Sequence, residues 1–131
     1  MKFRKKILKN GTEILLGRDE NSNDELMREY KGKENTILHT VAPGSPFCVI
    51  VKDKPTKEEI YEAGTFVAKY SQNWRDHKKD TQVHVFTGKA ASKKFWMKKG
   101  TWNVKNTKTL TIRVIDIEKI KILSTKRPRE T

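Results

Sequence analysis

The stretch that decides the fold is PTKEEIYEAGTFVAKYSQNW, residues 55–74. Thr56 and Glu59 stand three residues apart directly after Pro55, which is the spacing of a capping box at a helix N-terminus. Behind them, apolar side chains recur every three or four residues, a period that predicts one amphipathic helix to about residue 74: Ile60, Ala63, Val67, Tyr70 and Trp74. The opposite face is charged, so we expect this helix to lie across a sheet.

The segment before this helix predicts a β-hairpin and a short helix. FRKKILK and TEILLG flank Asn10-Gly11, a pair that supplies the positive φ angles of a tight two-residue turn. Residues 18–23 are polar and turn-like, and Ser22 or Asn23 is a candidate N-cap for a short helix ending near Tyr30.

Four further segments are predicted to be strands, from apolar runs bounded by turn residues or from period-two alternation. They are NTILHTV (35–41), FCVIVK (47–52), TQVHVFT (81–87) and TLTIRVI (109–115). Residues 75–80 are predicted to be a polar loop, and IEKIKIL (117–123) fits a strand or a short helix. The sum is an α+β fold, a largely antiparallel sheet with one long amphipathic helix and a shorter one. We expect one domain over residues 1–123 and a polar basic tail over 124–131.

Composition and charge point to a polyanionic partner. The 131 residues carry 29 Lys+Arg against 16 Asp+Glu, a formal net charge of +13. Apolar runs are too short to cross a bilayer, so no membrane insertion is expected. The lone Cys48, in an apolar run, predicts an inert core thiol and a reducing cytoplasm.

The positive charge is unevenly distributed along the chain. Residues 1–12 contain five basic residues and no acid, and the N-terminal strand is predicted to form one basic surface with the 88–108 connection. Residues 81–115 contain no acid and eight basic residues: Lys89, Lys93, Lys94, Lys98, Lys99, Lys105, Lys108 and Arg113. Like charges crowded together repel, so this stretch predicts a surface that a polyanion neutralises, against the alternative of a merely solvated face.

Aromatic side chains interrupt the lysines in KKFWMKKGTW, residues 93–102. Trp102, just beyond Gly100, is the candidate anchor of this connection. Trp96 is the candidate exposed ring on which an unpaired base stacks, with the adjacent Phe95 facing the core. Arg18, at a predicted strand end, could grip a phosphate, or it could pair with Asp19, Asp24 or Glu25.

Catalytic and metal signatures are weak. The three histidines, including His39, lie on separate elements without zinc-ligand spacing, and Gly88-Lys89 lacks the rest of a phosphate-binding loop. No cofactor or metal is therefore expected. An alternative is a Mg²⁺-dependent nuclease that uses Asp53 with Asp24 or Glu25.

The order of short motifs resembles the NFACT-R family, the RNA-binding module of ribosome-quality-control factors, which also occurs as a free-standing protein. The matching residues are Gly11-x-x-Ile14-x-x-Gly17-Arg18-Asp19, Asn23-Asp24-x-Leu26, Leu38-His39, Pro43-Gly44-Ser45, Ala68-x-Tyr70-Ser71, Gly88-Lys89, Lys93-Lys94 and Lys98-Lys99-Gly100. The family usually has Asp-x-Trp-aromatic-His at positions 35–39 and a histidine at position 46, where this chain has NTILH and Pro46. Activities that depend on those groups are not carried over.

The resemblance implies RNA binding, to tRNA or ribosomal RNA in a translation-related setting, with the ribosome as a further possible partner. Together with the charge pattern it predicts a non-enzymatic RNA-binding module. The predicted binding residues are Arg18, His39, Lys89, Lys93, Lys94, Trp96, Lys98, Lys99 and Lys105. The alternatives are the nuclease and a general polyanion-binding protein that takes DNA or acidic membrane.

Overall fold

The computed structural model describes residues 2–120 as eight strands and four helices. The strands are β1 (Arg4–Ile7), β2 (Glu13–Leu16), β3 (Thr36–Thr40), β4 (Cys48–Ile50), β5 (Thr81–Thr87), β6 (Ala91–Ser92), β7 (Asn103–Val104) and β8 (Lys108–Ile112). The helices are α1 (Glu20–Tyr30), α2 (Lys57–Lys69), α3 (Gln72–His77) and α4 (Val114–Glu118). The predicted tail, 124–131, and residues 121–123 lie outside the described residues.

Six strands form one sheet in the order β1-β2-β4-β3-β5-β8, and every neighbouring pair is antiparallel. The short strands β6 and β7 make a separate hairpin. The predicted α+β class, with a mostly antiparallel sheet, is confirmed. No helix among residues 2–120 is long and apolar enough to cross a bilayer.

Two apolar clusters pack on the two faces of the sheet. On one face, Leu38 and Val83 pack against Ala63 and Val67 of α2. On the other face, Ile37 and Phe86 belong to a cluster that includes Leu26 of α1. Alternation along the strands sends successive side chains to opposite faces, so each central strand contributes to both clusters.

The helix that the sequence predicts over 56–74 is divided in two. The capping box of Thr56 and Glu59 is present, and α2 ends at Lys69. The Ser71 hydroxyl then accepts the backbone N–H of Trp74 at 3.1 Å and starts α3, which runs to His77. Trp74 is buried in the core, as the apolar period predicts, but it belongs to α3 and not to α2. The polar loop predicted over 75–80 begins only after His77.

Turn chemistry differs from the prediction at the N-terminal hairpin. Leu8 N–H donates to the Thr12 carbonyl and Gly11 N–H to the Leu8 carbonyl, which closes a three-residue loop rather than a two-residue turn. Gly11 alone takes the positive φ, +95°, and Leu8 is buried beneath the loop. The predicted hairpin is present, but the prediction that Asn10 and Gly11 both take positive φ is wrong.

The cap of α1 also differs from the prediction. Asp19 is the N-cap, and Ser22 completes a reciprocal capping box from the third position of the helix. At the other end of the chain, TLTIRVI is not one strand, because β8 ends at Ile112 and α4 begins two residues later. Asp80 accepts the backbone N–H of Val114 at 2.8 Å and so fixes that change of direction.

Candidate functional site

A cleft of about 860 Å³ lies at one end of the six-stranded sheet, where β2 and β3 end and β4 begins. Its walls come from residues within 17–20, 41–47, 70–75 and 98–102. The segment 70–75 belongs to the layer of α2 and α3, whereas 17–20 leads into α1 on the opposite face. The cleft therefore collects side chains from both layers that cover the sheet.

Positive charge dominates the walls of this cleft. Five cationic side chains line it, from segments far apart in the sequence: Arg4, Arg18, Arg75, Lys98 and Lys99. The acids on the walls are Asp19 and Glu20. Asp19 is engaged as the helix cap, and hydrogen bonds from Ser22 hold the pKa of its carboxyl below the usual value, with a further contribution from the charge of Arg18. Cations are thus in excess where the cleft opens.

Aromatic side chains line the deeper part of the cleft. The imidazole of His39 stacks on Phe47, with ring centroids 4.3 Å apart and planes inclined by 30°. His84 stands directly across from His39 in the β3–β5 register, on the same face of the sheet. Burial lowers the pKa of His39 to about 4, and the neighbouring His84 adds to that effect. His39 is therefore neutral at pH 7 and presents an uncharged ring.

The opposite wall is built around the junction of α2 and α3. The Arg4 guanidinium lies over the ring of Tyr70 at 4.1 Å from its centroid, a cation–π contact that fixes its direction. Gln72 N–H donates to the Gly44 carbonyl at 2.8 Å and joins this junction to the 41–47 turn. Gly44 has φ +94°, and a Cβ there would come within 2.7 Å of the Gln72 side chain. A larger residue at position 44 would disturb this wall.

Residues 93–102, which we term the basic loop, are tied to α1 through Asp24. Its Oδ1 accepts the Trp102 indole N–H at 3.0 Å, the Gly100 N–H at 3.0 Å and a proton of the Lys93 ammonium, whose Nζ lies at 3.2 Å. Burial raises the pKa of Asp24, but these three donors outweigh it and the pKa is lowered overall. Trp102 also packs against the apolar cluster of Phe86. The loop is held at its base, and Trp102 is its anchor, as predicted.

The structure brings four of the predicted residues together. Arg18, His39, Lys98 and Lys99 line the same cleft, although 80 positions of sequence separate Arg18 from Lys98. Their predicted contact with RNA stays a prediction. What the fold adds is that two of them come from the basic loop and two from the end of the sheet.

The other five predicted residues do not line the cleft. Lys89 forms an ion pair with Glu34, and the Lys93 ammonium turns inward to Asp24 and to the carbonyls of Lys98 and Thr101. Those contacts favour a structural role for Lys93. Lys94, Trp96 and Lys105 are exposed on the basic loop or just after β7.

The tip of the basic loop carries two exposed aromatic rings. Trp96 is 70 % exposed, as predicted, but Phe95 is 96 % exposed, so the expectation that it faces the core is wrong. The two rings pack edge to face, with centroids 5.4 Å apart. They contact each other instead of the core because Trp102 already fills the place beneath the loop.

Folding gives part of the acid-free stretch its counter-charges. Lys89 pairs with Glu34, Lys93 with Asp24 and Arg113 with Asp80, all acids from outside residues 81–115. The argument from local sequence that this stretch needs a polyanion therefore fails for these three cations. Among the described residues, Lys98 and Lys99 make no ion pair with an acid, so the argument keeps its force at the cleft.

Sequence reasoning misses several residues of the cleft. Arg4 belongs to the basic N-terminal strand, which is predicted to be part of the basic surface, although Arg4 is not among the predicted binding residues. Arg75 stands in a segment predicted to be a polar loop. The helical period places Tyr70 in the core, and strand alternation places His84 only on the opposite strand face. No local pattern could group them, because antiparallel pairing and the α2–α3 junction bring them together.

The carboxylates of the nuclease alternative are not grouped. Asp24 lies near the start of β4, because the side chain of the adjacent Asn23 accepts the Phe47 N–H. Asp53 follows the other end of β4, so the two carboxylates are at opposite ends of this strand. Within residues 2–120, no three His, Cys, Asp or Glu side chains are placed to hold a metal ion. Cys48 is buried and burial raises the pKa of its thiol, as expected of a core cysteine.

Comparisons with known proteins agree with this architecture. A family model described as "NFACT protein RNA binding domain" matches residues 2–106. The solved C-terminal part of the fibronectin/fibrinogen-binding protein from Streptococcus suis is similar, with 25 % identity and a TM-score of 0.80. That match covers 93 % of this chain and 50 % of the other, so this chain spans half of that solved chain. No curated protein is significantly similar in sequence.

Proposed function

Because the chain belongs to the family of NFACT RNA-binding domains, we propose that it is a non-enzymatic module that binds RNA along its cleft and basic loop. The cations of the cleft bind backbone phosphates, and the exposed ring of Trp96 stacks on an unpaired base. The observation that carries the proposal is the convergence of five cationic side chains from distant segments on one cleft. Solubility alone would not require such an arrangement.

The two kinds of cation in the site suit two tasks. Arginine has a planar guanidinium that binds a phosphate through two parallel hydrogen bonds, which fixes orientation as well as position. Lysine acts as a mobile point charge, so Lys98 and Lys99 can follow a backbone of varying shape. Arg4, Arg18 and Arg75 would then set the register of the RNA, and the basic loop would add sequence-independent attraction.

The class of RNA is proposed from the family. The family resemblance favours tRNA or ribosomal RNA in a translation-related, cytoplasmic setting, with the ribosome as the larger partner. Assembly of tails on stalled ribosomes is not part of this proposal. Adhesion to fibronectin or fibrinogen, for which the similar protein from Streptococcus suis is named, has no support in the cleft described above.

The test is binding measured side by side at matched salt to tRNA, single-stranded RNA, duplex DNA of equal charge, and vesicles of acidic phospholipid. The proposal expects tRNA or single-stranded RNA to bind at least about tenfold tighter than duplex DNA, because an unpaired base adds stacking to phosphate contacts. Equal affinity for all four polyanions would replace the proposal with general polyanion binding. Labelled RNA incubated with Mg²⁺ should remain intact, and cleavage lost in Asp53→Ala would overturn the non-enzymatic assignment.

A further inference from the structure

The shape of the cleft restricts what part of an RNA can enter it. A volume of about 860 Å³ falls within the range of about 300–1,000 Å³ typical of pockets for small molecules and cofactors. The walls rise on both sides, from the α2–α3 junction and from residues 98–102. A duplex would meet such a site only at its rim, whereas one nucleotide that has left its stack can enter.

One side of the cleft is suited to a phosphate. Arg4 and Arg75 stand with Tyr70 on the wall formed by the layer of α2 and α3, and Arg18 stands where β2 leads into α1. Arg75 also forms an ion pair with the neighbouring Asp76, 3.2 Å from Nε to Oδ1, but both side chains are exposed and such pairs are weak. The Arg4 guanidinium is already oriented by its contact with the Tyr70 ring, so less side-chain freedom is lost when it binds. Planar guanidiniums at a concave site are the usual means of binding one phosphate in a defined orientation.

The other side is suited to a base. His39 is backed by Phe47, which is itself packed edge to face on Phe86 at 6.4 Å between centroids, so the imidazole is held rigidly. At neutral pH one ring nitrogen of an uncharged imidazole donates a hydrogen bond and the other accepts one. Hydrogen bonds with the backbone of Thr40 and Ser45 engage the edge of this ring, so an uncharged, supported ring of this kind is suited to stacking on a base.

We propose, resting on the function proposed above, that the cleft takes a single unpaired nucleotide of the bound RNA, with its phosphate on the arginines and its base against His39. The nucleotide is one that has been extruded from a helix. This site is separate from the stacking platform of Trp96, which does not line the cleft. The rest of the RNA lies outside, along the basic loop.

The experiment compares two RNA hairpins of equal length, one fully paired and one with a single bulged nucleotide. The wild-type protein should bind the bulged hairpin at least about fivefold tighter, the low end of what stacking on an aromatic ring contributes. His39→Asn should reduce this ratio to about one while its affinity for the paired hairpin stays within about twofold, because phosphate contacts remain. His77→Asn, which changes an exposed histidine of α3, is the matched control and should keep the wild-type ratio.

A second measurement does not depend on the variant folding. The ring resonances of His39 in the wild-type protein are followed by NMR during addition of AMP or CMP, and separately of inorganic phosphate. The nucleotides should shift the His39 resonances, phosphate alone should leave them nearly unchanged, and Trp96→Ala should not alter this response.

The outcomes separate the two proposals. The nucleotide site would be overturned if the wild type bound both hairpins equally, or if the His39 resonances did not shift when nucleotides were added. The proposal of RNA binding would still stand. Loss of binding to every RNA tested would overturn both. Retention of the bulge preference in a folded His39→Asn protein would also overturn the assignment of the base to His39.

Discussion

The indole N–H of Trp102 donates to the Oδ1 of Asp24 at 3.0 Å, a contact between residues 78 positions apart. The same oxygen accepts the Gly100 N–H, so one buried carboxylate of α1 fixes both the anchor and the turn of the basic loop. Lys98 and Lys99 stand on the cleft wall next to Gly100. The position of two proposed RNA-binding cations thus depends on a residue that does not itself line the cleft.

Replacing Asp24 should release the basic loop. Asp24→Ala removes the acceptor of two N–H donors and the counter-charge of Lys93, whose ammonium keeps only the Lys98 and Thr101 carbonyls. We expect the free energy of unfolding to fall by about 2–4 kcal/mol. Asp24→Asn keeps an acceptor for Trp102 and Gly100 but loses the charge opposite Lys93, so the free energy of unfolding should fall by less than in Asp24→Ala. Urea unfolding followed by tryptophan fluorescence measures both.

The control for this prediction is Glu25→Gln, which removes an exposed carboxylate that pairs with Lys2. It should change stability by less than about 1 kcal/mol, as surface ion pairs do. Similar losses for Glu25→Gln and Asp24→Ala would contradict the special position of Asp24.

The pH dependence of stability should carry the signature of His39. Burial lowers the pKa of His39 to about 4 in the folded protein, whereas the pKa of histidine in an unfolded chain is about 6.5. Between these values the unfolded chain binds a proton that the folded protein does not, so stability is full above about pH 6.5 and is lost as pH falls toward 4. The expected loss is about 2–4 kcal/mol.

Unfolding by urea at several pH values between 4 and 7.5 measures this dependence. A folded His39→Gln protein should show a flatter curve over that interval, and His77→Asn should follow the wild type. Parallel curves for wild type and His39→Gln would show that His39 is not the group responsible.

Salt should weaken RNA binding steeply. If about five phosphates are engaged, the slope of log K against log salt should be roughly −3.5 to −4.5 for single-stranded or duplex RNA. The double change Lys98→Glu with Lys99→Glu should reduce the magnitude of that slope by about 1.4–1.8 and lower the affinity. A wild-type slope near −1 would be incompatible with a multi-phosphate interface.

A matched control for this charge reversal lies at the other end of α2. Lys54→Glu with Lys57→Glu makes the same change of net charge next to the helix N-terminus, whereas the cleft is at the C-terminal end, about 18 Å along the axis. The control should keep most of the affinity. Equal losses would mean that net charge, and not the cleft, governs binding.

Trp96 should contribute to the affinity for single-stranded RNA but little to the stability of the fold. Its ring is 70 % exposed, so Trp96→Ala should leave the free energy of unfolding nearly unchanged. Loss of one stacked base should weaken binding to single-stranded RNA by about 1–3 kcal/mol, with a smaller effect on duplex RNA. Ile115→Ala, at another exposed apolar position, is the control. Equal losses of affinity on single strand and duplex would contradict stacking.

Two glycines should differ sharply in their tolerance of alanine. A Cβ at Gly88 would stand 1.9 Å from the Tyr30 carbonyl oxygen, a backbone atom that cannot move alone, so Gly88→Ala should cost about 3 kcal/mol or more. A Cβ at Gly64 in α2 would come within 2.7 Å of Ile112 Cδ1 and 3.3 Å of its Cγ1, side-chain atoms that can shift more easily than backbone, and alanine there also favours the helix. Thermal unfolding should show a much lower Tm for Gly88→Ala than for Gly64→Ala.

The fold is largely predictable because its elements have local signals. The capping box of Thr56 and Glu59, the alternation around His84 and the exposed and anchoring roles of Trp96 and Trp102 are all visible in short windows. The break at Ser71 is not, because a serine hydroxyl that captures a backbone N–H leaves the apolar period unbroken. The Ser71 cap is a local contact, but the neighbouring Gln72 N–H donates to the Gly44 carbonyl, and that tertiary contact lies outside any short window.

The cleft is predictable only in part. The lysines of the basic loop and the basic residues of the N-terminal strand stand out as runs in the sequence, whereas Arg75 joins them only through its neighbours in space. The sequence also overestimates the free charge at Lys89 and Lys93. They have no acid nearby in the sequence, but in the fold they pair with the distant Glu34 and Asp24. Sequence shows how much charge there is, and pairing across the fold shows how much remains available.

The distribution of the cleft's cations along the chain has a consequence during synthesis. Arg4 and Arg18 leave the ribosome early, Arg75 later, and Lys98 and Lys99 only when most of the domain has been made. A nascent chain interrupted before position 98 has the early arginines but neither the far wall of the cleft nor the edge strand β8. Such a fragment lacks two of the five cations that line the finished cleft.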